Sequence, residues 1–137
     1  MRADCFLLAD AVQESQGKLY ILGGGWNTVV VPTLPAVHPS FAIAVRLLVP
    51  WNDTNQPFKF EITIQDPDAE PLLEEPLSGE LTVGRPPHLS AGSDQAIPLA
   101  VTVKDLKLPK PGTYACVLTV EGEVKFRTTF DVMSAAR

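Results

Sequence analysis

Along most of this chain apolar side chains recur at every second position, and that period constrains the fold more than any other feature. Phe58, Phe60, Ile62 and Ile64 alternate with Lys59, Glu61, Thr63 and Gln65. A strand buried on one face produces this pattern; a helix with 3.6 residues per turn does not. Tyr114, Cys116, Leu118 and Val120 form a second inward set. Val124, Phe126, Thr128, Phe130 and Val132 form a third. Phe41, Ile43, Val45, Leu47 and Val49 make the longest one, and Ile97, Leu99, Val101 and Val103 another. Residues 3–9, 18–22 and 26–31 are shorter and more uniformly apolar, and read as further strands. Leu81 and Val83 suggest a short edge strand.

The connections agree with this period. Thirteen prolines punctuate the chain, and each removes a backbone donor and breaks a helix interior. Long helical bundles and coiled coils are thereby excluded. Gly23-Gly24-Gly25 reads as a hairpin turn or bulge. Pro32 through Pro35 and His38-Pro39 fill a loop, and residues 51–57 form a turn cluster. Asp10 to Gly17 is the one stretch suited to a helical turn, with Gly17 as its stop. Val120 and Val124 both belong to inward sets, so direct opposition requires an odd loop, Glu121-Gly122-Glu123. That loop would pair Leu118 with Phe126, Cys116 with Thr128 and Tyr114 with Phe130.

Seven to nine strands separated by such turns indicate an all-β fold. One sheet cannot hide both faces, so the expectation is an antiparallel two-sheet β-sandwich occupying residues 1–137 as a single domain. At 137 residues the chain is long enough to fold on an apolar core alone.

Two resemblances add to this reading. Gly112-Thr113-Tyr114-Ala115-Cys116 resembles the tyrosine corner of immunoglobulin-type sandwiches, in which a Tyr stands two residues before a strand Cys. It covers about one strand and implies a loosely immunoglobulin-like sandwich. Cys5 and Trp26 do not stand where an immunoglobulin domain has its first Cys and its Trp. A Cys5–Cys116 bridge is therefore not expected. The segments Lys18-Leu19-Tyr20-Ile21-Leu22-Gly23-Gly24-Gly25-Trp26, residues 44–52, and Gly84-Arg85-Pro86-Pro87-His88 carry the second resemblance. Over its whole length the chain is similar to an uncharacterised family of small bacterial all-β proteins. This resemblance implies no activity and brings no functional residues.

Chemistry-bearing residues are sparse. The formal net charge of −5 argues against wrapping nucleic acid, which needs clustered Lys and Arg. No apolar run approaches the length that crosses a bilayer. The N-terminal apolar run is short and flanked by Asp4, so an export signal is not expected. With only two cysteines the expected location is cytoplasmic. His38 and His88 have no close-spaced ligand partner, so no metal or other cofactor is expected. Asp66, Asp68 and Glu70 alternate in a loop, as calcium ligands do, but equally as a solvated acidic turn does. Ser90, Ser93 and Asp94 lie in the same loop as His88, without a nucleophile elbow.

The remaining signal is an apolar surplus. Trp26 and Trp51 sit at loop edges, as core lids or as contact anchors. Val30 and Leu48 double the apolar pattern of their strands, and Ala42 and Ala44 occupy positions that should face water. The expectation is a non-enzymatic protein-interaction module, with a protein partner or homodimer engaging Ala42, Ala44, Leu48 and Trp51. The alternative is a ligand-binding sandwich for calcium, carbohydrate or a lipid headgroup.

Overall fold

The computed structural model describes residues 1–135. Its elements are β1 (Arg2–Ser15), β2 (Lys18–Gly24), β3 (Thr28–Val31), β4 (Ala36–Val49), a 3-10 turn (Trp51–Asp53), β5 (Pro57–Gln65), β6 (Leu77–Thr82), β7 (Gln95–Leu108), β8 (Gly112–Val120) and β9 (Glu123–Ser134). They form a four-stranded sheet in the order β2-β1-β4-β7 and a five-stranded sheet in the order β3-β9-β8-β5-β6. All neighbours are antiparallel except β3 and β9, which run parallel.

The inward sets supply the core between the sheets. Phe41, Ile43, Val45, Leu47 and Val49 are all buried on β4. Ile62 and Ile64 meet them from β5, Tyr114, Cys116, Leu118 and Val120 from β8, and Phe130 and Val132 from β9. On β1 the inward residues are Ala3, Phe6 and Leu8. Their parity changes because a bulge between Ala3 and Cys5 inserts one residue against β4. Ile97, Leu99 and Val101 pack on this core only half-buried, since β7 lies at the sheet edge.

Four local expectations are corrected. Asp10–Gly17 forms no helical turn. β1 continues to Ser15, and Gln16 and Gly17 alone turn the chain, with φ of 53° and 75°. Positive φ at both positions is the twist-matched hairpin turn, and cross-strand pairing outweighs the modest helix propensity of this stretch. Gly23-Gly24-Gly25 closes no hairpin. β2 and β3 belong to different sheets, and the glycines carry the chain between them, with Gly25 N–H donating to the Leu8 carbonyl at 2.8 Å.

His38-Pro39 lies within β4 rather than in a loop. The strand tolerates Pro39 because its opposite position on β7 is Asp105, which leaves the extended region with φ of 54°. The last hairpin has the expected pairs Leu118–Phe126, Cys116–Thr128 and Tyr114–Phe130, but its loop is only Glu121-Gly122. Both loop residues have positive φ, and a bulge beside Leu118 absorbs the extra residue. Val124 is consequently turned out, 63% exposed.

Candidate functional site

The expected interface positions lie on the outer face of the four-stranded sheet, yet this chain covers three of them itself. Ala42, Ala44 and Leu48 are buried. Ala42 stands between Ala9 and Thr102, and Ala44 between Leu7 and Ala100. A methyl group on a central strand is overtopped by side chains on both flanks. Leu48 sits between Arg2 and Ala96.

Trp51 is held locally. The Arg85 guanidinium lies 4.2 Å from the centre of its ring and donates to the Trp51 carbonyl at 2.9 Å. Buried Thr54 donates its hydroxyl to the same carbonyl at 2.6 Å and accepts from Arg85 Nε. Trp26 caps the core, edge-on to Phe41 and Phe130 and stacked on His38.

The chemistry-bearing residues do not converge. Asp66 accepts from the backbone N–H groups of Asp68 and Glu70, at 2.8 and 3.0 Å, so its carboxylate builds the turn. Asp68 pairs with Lys110. His88 is exposed, and Asp94, nearby in sequence, faces Arg2 at 3.7 Å. Among the described residues no three His, Cys, Asp or Glu side chains gather where a metal could sit. Cys5 and Cys116 are free. Burial pushes the Cys116 thiol up to about 12. Burial also raises Cys5, with Asp4 adding to the rise and Arg46 opposing it. Neither is a ready thiolate at neutral pH.

What stands out is an edge. β1 pairs with β4 only from Arg2 to Ala9, and with β2 from Ala9 to Ser15. The second half of β1 and all of β2 therefore form a hairpin whose β2 side is hydrogen-bonded to no further strand among the described residues. On β2, Tyr20 is 55% exposed and Leu22 is 71% exposed, with Ile21 exposed between them and Leu19 half-buried. Tyr20 and Leu22 share a face with Gln13 and Ala11. Leu19 and Ile21 share the opposite face with Glu14 and Val12.

The tight turn also fixes the backbone. Ser15 and Lys18 flank a two-residue loop and exchange their N–H and C=O groups, and that role alternates along the ladder. Tyr20 and Leu22 thus point their backbone groups at β1. Leu19 and Ile21 point theirs at the open side.

The other edges are guarded. β7 carries Pro98, the left-handed Asp105, and exposed Lys104 and Lys107. β3 has four residues and runs into Pro32. β6 carries Glu80, and the Phe60 ring lies against Gly79, leaving no room for a side chain there. Natural edges are blunted by such devices, and β2 from Lys18 to Leu22 has one charge and none of the others.

A family model of unknown function, DUF6941, matches residues 4–133. The chain belongs to the DUF6941 family. A comparison with curated proteins finds no match. Among solved structures this DUF6941 member is similar to Pseudomonas fluorescens alkylpurine DNA glycosylase AlkC bound to DNA containing an abasic site analog, at 15% identity and a TM-score of 0.39. That similarity covers 77% of this chain and 27% of the other. A likeness of that order carries no functional argument.

The pattern of residues 18–22 indicates a strand but does not mark it as the open edge. The signal was present in Leu19-Tyr20-Ile21-Leu22, apolar at consecutive positions and so apolar on both faces. That signal alone does not identify the edge, because edge status depends on strand order, which periodicity does not contain.

Proposed function

We propose that this DUF6941 member is a non-enzymatic protein-interaction module that receives an extended segment of a partner on the open edge of β2. The observation that carries the proposal is the exposed run from Lys18 to Leu22, apolar on both faces, with the backbone groups of Leu19 and Ile21 unclaimed by β1. An added strand would satisfy those groups, and Tyr20 and Leu22 would supply side-chain contact. The protonated thiols, the Arg2–Asp94 pair and the enclosed His38 favour binding over catalysis.

An immunoglobulin-like reading of the scaffold belongs to the same proposal. The Tyr114 hydroxyl donates to the Lys110 carbonyl at 2.6 Å, and β3 runs parallel beside the last strand. Two free thiols fit a reducing, cytoplasmic setting. No helix among the described residues is long and apolar enough to cross a membrane.

The test is a screen of displayed random peptides against the wild type and against Ile21→Pro, which deletes the donor on the open side without touching the β1 ladder. Peptides that bind the wild type, fail on Ile21→Pro and slow amide exchange at Leu19 and Ile21 support the proposal. Peptides that bind both proteins equally overturn it.

A further inference from the structure

Resting on that reading, we infer that the strand received by β2 is β2 of a second copy of this chain, paired antiparallel about a two-fold axis through Tyr20. In an antiparallel pair, directly opposed residues face the same side of the sheet. A two-fold along the sheet normal keeps that side, so the axis must pass through a residue and not between two. The regular part of β2 ends at Leu22, because Gly23 turns left-handed with φ of 61°. The segment from Lys18 to Leu22 is centred on Tyr20. That centre opposes Tyr20 to itself, Leu19 to Ile21 of the second copy, and Lys18 to its Leu22.

Three observations favour a copy over an unrelated strand. First, backbone and register agree. Leu19 and Ile21 have outward backbone groups, and this centre pairs them with each other, so all are satisfied at once. Tyr20 meets its copy in the closer kind of pair, where aromatic side chains contact best.

Second, charge agrees. Lys18 is the only charged side chain on β2. The two-fold sets each Lys18 opposite Leu22 of the second copy and keeps the two lysines apart. A parallel arrangement would place lysine beside lysine.

Third, exposure agrees. The most exposed apolar side chains on this strand, Tyr20 and Leu22, fall on one face, with Tyr20 at the centre of the pairing and Leu22 at its end. The product is a continuous sheet running β7-β4-β1-β2 and back through the second copy. So short a seam is small for a protein interface, so the dimer forms reversibly, with dissociation in the range of about 1 µM to 1 mM.

The experiment is sedimentation equilibrium of the whole chain across that concentration range, with two sets of variants. The wild type should move from monomer to dimer. Tyr20→Glu, which places like charges opposite each other at the axis and in water in the monomer, should remain monomeric with an unchanged circular dichroism spectrum. In a Cys5→Ser background, Tyr20→Cys should form a disulfide-linked dimer on mild oxidation. Lys18→Cys alone should not, but a mixture of Lys18→Cys and Leu22→Cys should.

A wild type that stays monomeric throughout overturns the second copy, while the peptide screen still decides whether β2 accepts another strand. A dimer that survives Tyr20→Glu and leaves Tyr20→Cys unlinked also overturns the inference, because another face then makes it.

Discussion

The indole of Trp26 lies flat against the imidazole of His38, with ring centres 6.3 Å apart and planes 14° from parallel. His38 in turn meets Phe41 edge-on at 5.4 Å. The imidazole is thus part of the aromatic lid over one end of the core. Its Nδ1 and the Trp26 Nε1 are both buried without a protein hydrogen-bond partner.

This setting makes stability depend on pH. Burial lowers the affinity of His38 for a proton, and the nearby Asp10 only partly opposes this. The unfolded chain takes up that proton at about 6.5. The folded state therefore binds fewer protons, and its stability falls as pH drops below about 6.5 towards the lowered folded value. Urea melts of the wild type and of His38→Phe between about pH 7.5 and 5 should diverge at the acid end, with the wild type losing more. Parallel curves would exclude His38 as the source.

Core substitutions should rank by burial. Phe41→Ala and Phe130→Ala should each cost about 3–5 kcal/mol, because both rings are enclosed between the sheets. Phe60→Ala should cost less, since Phe60 is only half-buried beside Gly79. Lys59→Ala, on the opposite face, should stay within about 0.5 kcal/mol. Denaturant midpoints check the order, and a large effect at Lys59 would contradict the register of β5.

The β1–β2 turn gives a test of backbone strain alone. No atom lies near the position a Gly17 side chain would occupy, but Gly17 has φ of 75°. Gly17→Ala should therefore cost about 1 kcal/mol through conformation. Gln16→Asn, which suits positive φ better, should stabilise slightly. Thermal melts of the two variants should move in opposite directions.

Much of the fold was legible because period two survives in a sequence whenever one strand face is buried. Phe41 to Val49, Phe58 to Ile64 and Tyr114 to Val120 all face the core as their spacing indicates. Val124 escaped this logic because a bulge beside Leu118 reverses the parity of β9, and a bulge leaves no mark on alternation. The apolar residues Ala42, Ala44 and Leu48 were legible as outward positions. Their burial was not, because it depends on the neighbours that β1 and β7 place beside them. The β2 edge was hidden for the same reason, since strand order comes from tertiary structure.

The Trp51 cluster is testable by fluorescence. Arg85→Ala removes the cation over the ring and one donor to the Trp51 carbonyl. It should cost about 1 kcal/mol and shift tryptophan emission to the red as water reaches the indole. Emission unchanged from the wild type would show that Arg85 does not cover Trp51 in solution.

The most direct measurement of the central claim is amide exchange at Leu19 and Ile21 in the wild type, recorded at low and at high protein concentration. If the β2 edge pairs with β2 of a second copy, these N–H groups exchange freely in the dilute chain and become protected as concentration rises, with those of β7 unchanged. Equal, fast exchange of Leu19 and Ile21 at both concentrations, or protection appearing on β7 instead, would contradict it.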